Sequence, residues 1–276
     1  MSWARRLFIK SLSAMVGGCS PVDLVNATVS REGYTIQRDI SYGAFTRLKL
    51  DYYSPIKPRP DGKTVVFLYG GSWDSGQKSD YLFVGQALAS HGIATIIPDY
   101  RLFPEVRFPA FIEDCALATR WAADHAGVDK LFLMGHSAGA HIALMLAANT
   151  PYLANCGVDR LKLRSAIGLS GPYDFLPLTS TKLISIFGSA DNPDIEPITF
   201  AKRPLPAVLL IHGTADTIVS PSNSKHLAAA WCRSGAPTEF KLYPGVSHID
   251  VIASFASLLH QRAPTRDDVL TYIAAQ

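Results

Sequence analysis

The sequence predicts a single α/β domain whose mostly parallel central sheet is flanked by helices on both faces. Three observations lead there. Apolar runs of about six residues alternate with helical stretches of ten or more, the order that a parallel sheet with crossover helices requires. Some of those runs are apolar almost without a break, as in Thr64-Val65-Val66-Phe67-Leu68-Tyr69, which suits a strand buried on both faces. The length of 276 residues allows one large domain, and a composition 48% apolar and 18% charged excludes intrinsic disorder.

The elements follow in order. Ile36–Ser41 and Leu48–Tyr53 read as an antiparallel pair around a turn at Gly43, and the loop from Pro55 to Gly62 is punctuated too heavily for regular structure. After the strand 64–69 come a helix over 79–90 and a strand over 93–97. Pro109 stands in the first turn of the next helix, where a missing N–H costs nothing, and that helix runs to about Ala126. A strand over 130–134, a helix over 138–149 and a strand over 164–169 continue the alternation. Residues 171–206 interrupt it with several prolines and no period, and are expected to form a small lid over one edge of the sheet. The strand 207–211, a helix opened by Ser220-Pro221 and closed before Gly235, the strand 239–243 and helices over 249–259 and 267–275 complete the domain, which is taken as 36–276.

The net charge of +3 is not spread over this domain. Arg5, Arg6 and Lys10 fall in the first eighteen residues beside no acid; the 26 basic residues less these three leave 23, against 23 acidic ones. A nucleic-acid partner is therefore not expected. The longest apolar run, Ile142 to Ala148, is far short of the roughly 20 residues a spanning helix needs. Ala4-Arg5-Arg6-Leu7-Phe8-Ile9-Lys10 resembles a twin-arginine export signal, and Val16-Gly17-Gly18-Cys19 resembles a bacterial lipobox. That resemblance implies a signal peptide over 1–18, a diacylglyceryl anchor on Cys19, a tether over 19–35 and a membrane-anchored place in the cell envelope. Cys115 and Cys232 stand in apolar helical contexts and are expected to be buried; no cysteine has metal-ligand spacing, and no metal or cofactor is implied.

The chemistry centres on Gly135-His136-Ser137-Ala138-Gly139. A G-x-S-x-G match arises by chance roughly 0.1 times in a chain this long, so its context decides. Here it follows a strand and opens a helix, the setting of a sharp elbow that exposes a nucleophilic serine. A serine hydroxyl needs a base and a group to orient the base, expected in the order Ser, acid, His. Asp216 follows the strand 207–211 and His248 follows the strand 239–243, so all three lie beyond strand ends that share one edge of a parallel sheet. His248 is the expected base and Asp216 its orienter. The oxyanion donors are expected to be the backbone N–H of Ala138 and those of Gly71 and Ser72, in the loop after the strand 64–69. Trp73 and Tyr173 are candidate pocket residues. His212 and His141 read as local packing or hydrogen-bonding histidines, and Asp174 as a weaker rival to Asp216.

With these residues in place, the chain resembles the α/β-hydrolase superfamily, carboxylesterase type, near its kynurenine-formamidase-like branch, over roughly 36–276. Pro98-Asp99-Tyr100-Arg101-Leu102 with Phe108-Pro109-Ala110 resembles a segment of hormone-sensitive-lipase-like esterases, and Tyr69-Gly70-Gly71-Ser72-Trp73 resembles their H-G-G-x-W loop, with Tyr in place of His. His136 stands where many of those relatives carry Asp. The resemblance implies a serine hydrolase that cleaves carboxylic esters of short to medium acyl chain through an acyl-enzyme. An arylformamidase, or a non-catalytic envelope binding protein on the same fold, are the alternatives.

Overall fold

Strands β1 (Tyr34–Ser41) and β2 (Lys49–Pro55) pair antiparallel at one edge of the sheet. The computed structural model describes residues 21–125, 130–202 and 204–276; the expected signal segment 1–18, Cys19 and the predicted helix end at Ala126 lie outside them. The strands that follow are β3 (Lys63–Leu68), β4 (Ala94–Pro98), β5 (Lys130–His136), β6 (Leu163–Leu169), β7 (Ala207–Gly213) and β8 (Thr238–Tyr243). Together they form an eight-stranded sheet in the order β1-β2-β4-β3-β5-β6-β7-β8, parallel from β4 onward, as expected.

Burial follows position in the sheet. Every residue of β3 and β7 is buried, while the edge strands β1 and β8 alternate with exposed residues. A strand covered on both faces has no polar side to offer, and this is why the central strands read as continuous apolar runs. The covering helices are α1 (Pro21–Ala27), α2 (Leu82–Ala89), α3 (Ala110–His125), α4 (Ala138–Ala148), α5 (Pro151–Asn155), α6 (Thr181–Phe187), α7 (Ser222–Arg233), α8 (His248–Ala253) and α9 (Thr265–Ala275). All of α4 is buried, consistent with a helix apolar on every face.

Within the segment 19–35, expected as a tether, Pro21–Ala27 is helical, and the Asn26 side chain donates to the carbonyl of Ser79, 2.9 Å away. The helical stretch expected over 79–90 opens with a single 3-10 turn, Lys78–Tyr81, before α2. Cys232 is exposed rather than buried, because it falls on the outer face of an amphipathic helix; Cys115 is buried, and both thiols are free.

Candidate active site

The elbow forms as the sequence requires. Ser137 sits at φ 55°, ψ −122°, a costly backbone state for a residue with a side chain, held between β5 and α4. Its N–H donates to the carbonyl of Leu169 at 2.9 Å, pinning the turn to the neighbouring strand. The flanking glycines are there because the backbones touch. A Cβ on Gly135 would stand 2.2 Å from the carbonyl oxygen of Gly139, and one on Gly139 would stand 2.0 Å from that of Leu68.

Asp216 and His248 meet at the same edge. His248 Nδ1–H donates to Asp216 Oδ2 at 2.7 Å, and both side chains are buried. The other carboxylate oxygen, Oδ1, accepts the backbone N–H groups of Ile218 and Val219, each at 2.9 Å. His212 Nε2 lies 3.1 Å from Oδ2. Burial works to raise the Asp216 carboxyl, but the hydrogen bonds from His212, His248 and Val219 outweigh it and hold the group well below the usual carboxylate range.

His136 places this pair beside the elbow. Its ring lies 4.7 Å from that of His248, centroid to centroid, and its Nε2–H donates to the His248 carbonyl at 3.1 Å. Burial, and then the neighbouring His248, push His136 down to about 3, so it stays neutral. Among the described residues neither Ser137 Oγ nor His248 Nε2 is hydrogen-bonded. Asp174, the rival acid, is instead bonded to His226 Nδ1 at 2.5 Å, and Asp250 caps α8 through Ser247.

The loop after β3 approaches the elbow from the other side. A Cβ on Gly70 would lie 3.1 Å from Ser137 Cβ, tight enough that its neighbours would have to give way, so glycine suits this approach. Gly71, Ser72 and Trp73 all have positive φ, at 132°, 51° and 61°. The Gly71 carbonyl is tied back by the N–H groups of Asp74 and Ser75, while the N–H groups of Gly71, Ser72 and Ala138 donate to no described residue. Tyr69, which stands in place of the His of the resembling loops, braces this loop. Its hydroxyl donates to Asp99 Oδ1 at 3.0 Å and accepts from Arg47 Nη2 at 3.3 Å, and its ring stacks on Tyr100 with centroids 4.5 Å apart. Tyr100 in turn donates to the Tyr69 carbonyl at 2.7 Å.

Ser137, Ala138, Ser72 and Trp73 line a cavity of about 300 Å³, closed by Pro172, Phe175 and Leu183 and by the loop residues Ile218 and Val219. Residues 171–206, through α6, thus supply part of its wall. Trp73 is both wall and packing: it is 5% exposed and meets His141 edge-on at 5.2 Å. Tyr173 does not belong to the cavity. Its ring is buried in the core, with its hydroxyl over Gly168, where a Cβ would come within 2.1 Å. Its chain neighbours Pro172 and Phe175 line the cavity instead. Sequence reasoning missed Leu183, Ile218 and Val219; the position of Val219 three residues after Asp216 was the available signal.

Residues 50–231 match the model of the BD-FAE family. The chain belongs to this family of α/β-hydrolases. Among curated relatives, a probable isoprenylcysteine alpha-carbonyl methylesterase of Oryza sativa subsp. japonica is 30% identical over 78% of this chain and 58% of its own length. A kynurenine formamidase of Danio rerio is 29% identical over 52% of this chain and 48% of that protein. The chain spans 51–62% of the length of the plant methylesterases it matches. Among solved structures, an esterase B from Lactobacillus rhamnosis superposes with a TM-score of 0.76 at 20% identity, covering 98% of this chain and 93% of that one, which shows the shared fold.

Proposed function

We propose that this family member is a serine carboxylesterase that cleaves esters of short to medium acyl chain through an acyl-enzyme on Ser137. The observation that carries the reading is the 2.7 Å bond from His248 Nδ1–H to Asp216 Oδ2, formed by two residues 32 apart in sequence and set against the elbow through His136. Ionised Asp216 fixes the hydrogen on Nδ1 and leaves the Nε2 lone pair for the serine proton. The hydroxyl attacks the ester carbonyl, and its proton passes to Nε2. The tetrahedral oxyanion is received by the free N–H groups of Ala138 and of Gly71 or Ser72, at the positive end of α4. His248 then protonates the departing alcohol, and water, deprotonated by the same nitrogen, releases the acid. The hydrogen bond between Ser137 Oγ and His248 Nε2 forms as substrate enters, since catalytic hydrogen bonds are often completed only in the substrate complex.

The methylesterase relatives support an ester as the bond cleaved, and the lining of the cavity by Trp73, Phe175 and Leu183 supports an apolar acyl group. The kynurenine formamidase match favours a second reading, hydrolysis of an aryl formamide by the same groups. Fluorophosphonate labelling tests the mechanism: wild-type protein is labelled, and Ser137→Ala loses both the label and hydrolysis of p-nitrophenyl butyrate. Labelling of another serine in the variant would overturn the assignment. Comparing p-nitrophenyl esters with N-formylkynurenine on the same preparation separates the two readings.

The resemblance of residues 1–19 to a lipoprotein signal supports an envelope location with Cys19 acylated. Intact mass of membrane-extracted protein tests it: a species that starts at Cys19 and carries lipid mass is expected, and an unmodified species starting at Met1 would overturn it.

A further inference from the structure

His212 is completely buried at the end of β7, four residues before Asp216. Its Nε2 lies 3.1 Å from Asp216 Oδ2 and 3.0 Å from the Val219 carbonyl oxygen, and its Nδ1 lies 2.7 Å from Oγ of Ser224, a fully buried residue of α7. Neither the ionised carboxylate nor the carbonyl carries a hydrogen, so the ring hydrogen between them sits on Nε2. Nδ1 then accepts from the Ser224 hydroxyl. The tautomer set by Asp216 and Val219 puts a second donor on the oxygen that already accepts from His248, and Ser224 anchors the far side of the ring.

We propose that His212 is a positioning residue: an imidazole, anchored by Ser224, that holds the Asp216 carboxylate and the loop 214–221 in the arrangement His248 needs. The inference rests on reading Asp216 as orienter and His248 as base. It joins three tasks in one ring. The shared Nε2–H bridges Asp216 and Val219, and so fixes the turn whose Ile218 and Val219 amides cradle Oδ1. Ile218 and Val219 also wall the cavity that opens on Ser137, so the ring that aims the acid also shapes the substrate space.

The second donor also sets how strongly Asp216 holds the His248 proton. Charge on Oδ2 is divided between two N–H groups. Removing one leaves a more basic carboxylate, which holds the catalytic imidazolium more strongly. The other groups around His248 are His136 on β5 and, on its own helix, Asp250, which Ser247 holds and Arg262 approaches at 3.7 Å. None of these changes when His212 is replaced.

Two substitutions divide the roles of the ring. His212→Asn puts an amide near the place of Nδ1 and keeps a partner for Ser224, but reaches neither Asp216 nor Val219. His212→Gln puts its amide near the place of Nε2 and keeps that donor. With the full chain and p-nitrophenyl butyrate, His212→Asn is expected to lower kcat by about tenfold or more while KM stays within about twofold, as loss of one charge-assisted donor implies. The acidic limb of its kcat/KM profile moves to higher pH, and His212→Gln recovers most of kcat. Ser224→Ala, which removes the anchor on Nδ1, moves the same two readouts in the same direction by less, and it decides the matter if His212→Asn does not fold. Wild-type kcat and an unmoved pH profile in whichever of these variants folds would overturn the proposal, as would equal losses in His212→Asn and His212→Gln. Asp216→Asn keeps the two readings apart. If it too retains wild-type turnover, the orienter assignment falls and this inference with it; if it loses turnover while the His212 and Ser224 variants do not, only this inference falls.

Discussion

The hydroxyl of Tyr69 stands 3.0 Å from Oδ1 of Asp99, thirty residues further along the chain, and through this bond the loop that follows β3 is fixed to the end of β4. The same Asp99 oxygen accepts the Lys78 N–H at 2.7 Å, so one carboxylate grips both ends of the loop 69–78. Burial pushes the Asp99 carboxyl up, against the pull of the Lys78 amide, Tyr69 and Arg47. A brace built on an aromatic ring thus stands where related loops carry an imidazole.

Tyr69→Phe should therefore loosen the oxyanion loop without emptying the stack on Tyr100. Loss of one partner from a half-buried carboxylate is expected to cost about 1–3 kcal/mol of stability. Turnover of p-nitrophenyl butyrate should fall by about tenfold, with KM little changed, because the loop amides act on the transition state. Denaturant unfolding and steady-state kinetics on the same preparation check both. Lowered stability with unchanged kcat would show that the brace serves packing alone.

Asp216→Asn is expected to reduce kcat by up to about 10⁴, the scale seen when a catalytic histidine is left in the wrong tautomer. The rate of fluorophosphonate labelling should fall with it. Asp174→Asn should stay within about twofold of wild type, since Asp174 serves His226 and not His248. A reversal of these two results would move the orienting role to Asp174.

Leu183, on α6, lines the cavity that also holds Ser137. Replacing it with Trp should shorten the acyl chain that fits. The expected outcome is a fall in kcat/KM for p-nitrophenyl hexanoate relative to the acetate of roughly tenfold or more, the discrimination one or two methylenes carry in an apolar pocket. An unchanged ratio across the acyl series would place the acyl group elsewhere.

Stability should decline on mild acidification. Burial holds His136 at about 3 and His141 at about 4, the latter with its Nε2–H on the Ile195 carbonyl at 2.7 Å. The unfolded chain takes up both protons near pH 6.5, and the folded chain does so only near those lower values. Unfolding free energy is therefore highest above pH 6.5 and falls toward pH 4, by about 1.4 kcal/mol per pH unit for each histidine once the unfolded form is fully protonated. Urea titrations between pH 5.5 and pH 4.5 measure the slope. His141→Gln, which keeps a donor for Ile195, should remove one histidine's share of it.

The local chemistry of single segments was enough to read most of the fold. The continuous apolar run at β3 announced a doubly covered strand, because a buried strand has no face on which to place a polar residue. The elbow at Ser137 was legible because two backbone collisions demand glycine at 135 and 139, and Asp216 and His248 were legible because parallel strands bring their C-terminal ends to one edge. The tertiary structure alone decided what depends on which distant groups meet. It made a helix of Pro21–Ala27, turned Tyr173 into the core, put Leu183 in the wall of the cavity that holds Ser137, and joined Tyr69 to Asp99 and His212 to Ser224. Those contacts carry no period or spacing in the sequence. They arise from side-chain direction and from burial shared between elements far apart in the chain, which only the packed domain fixes.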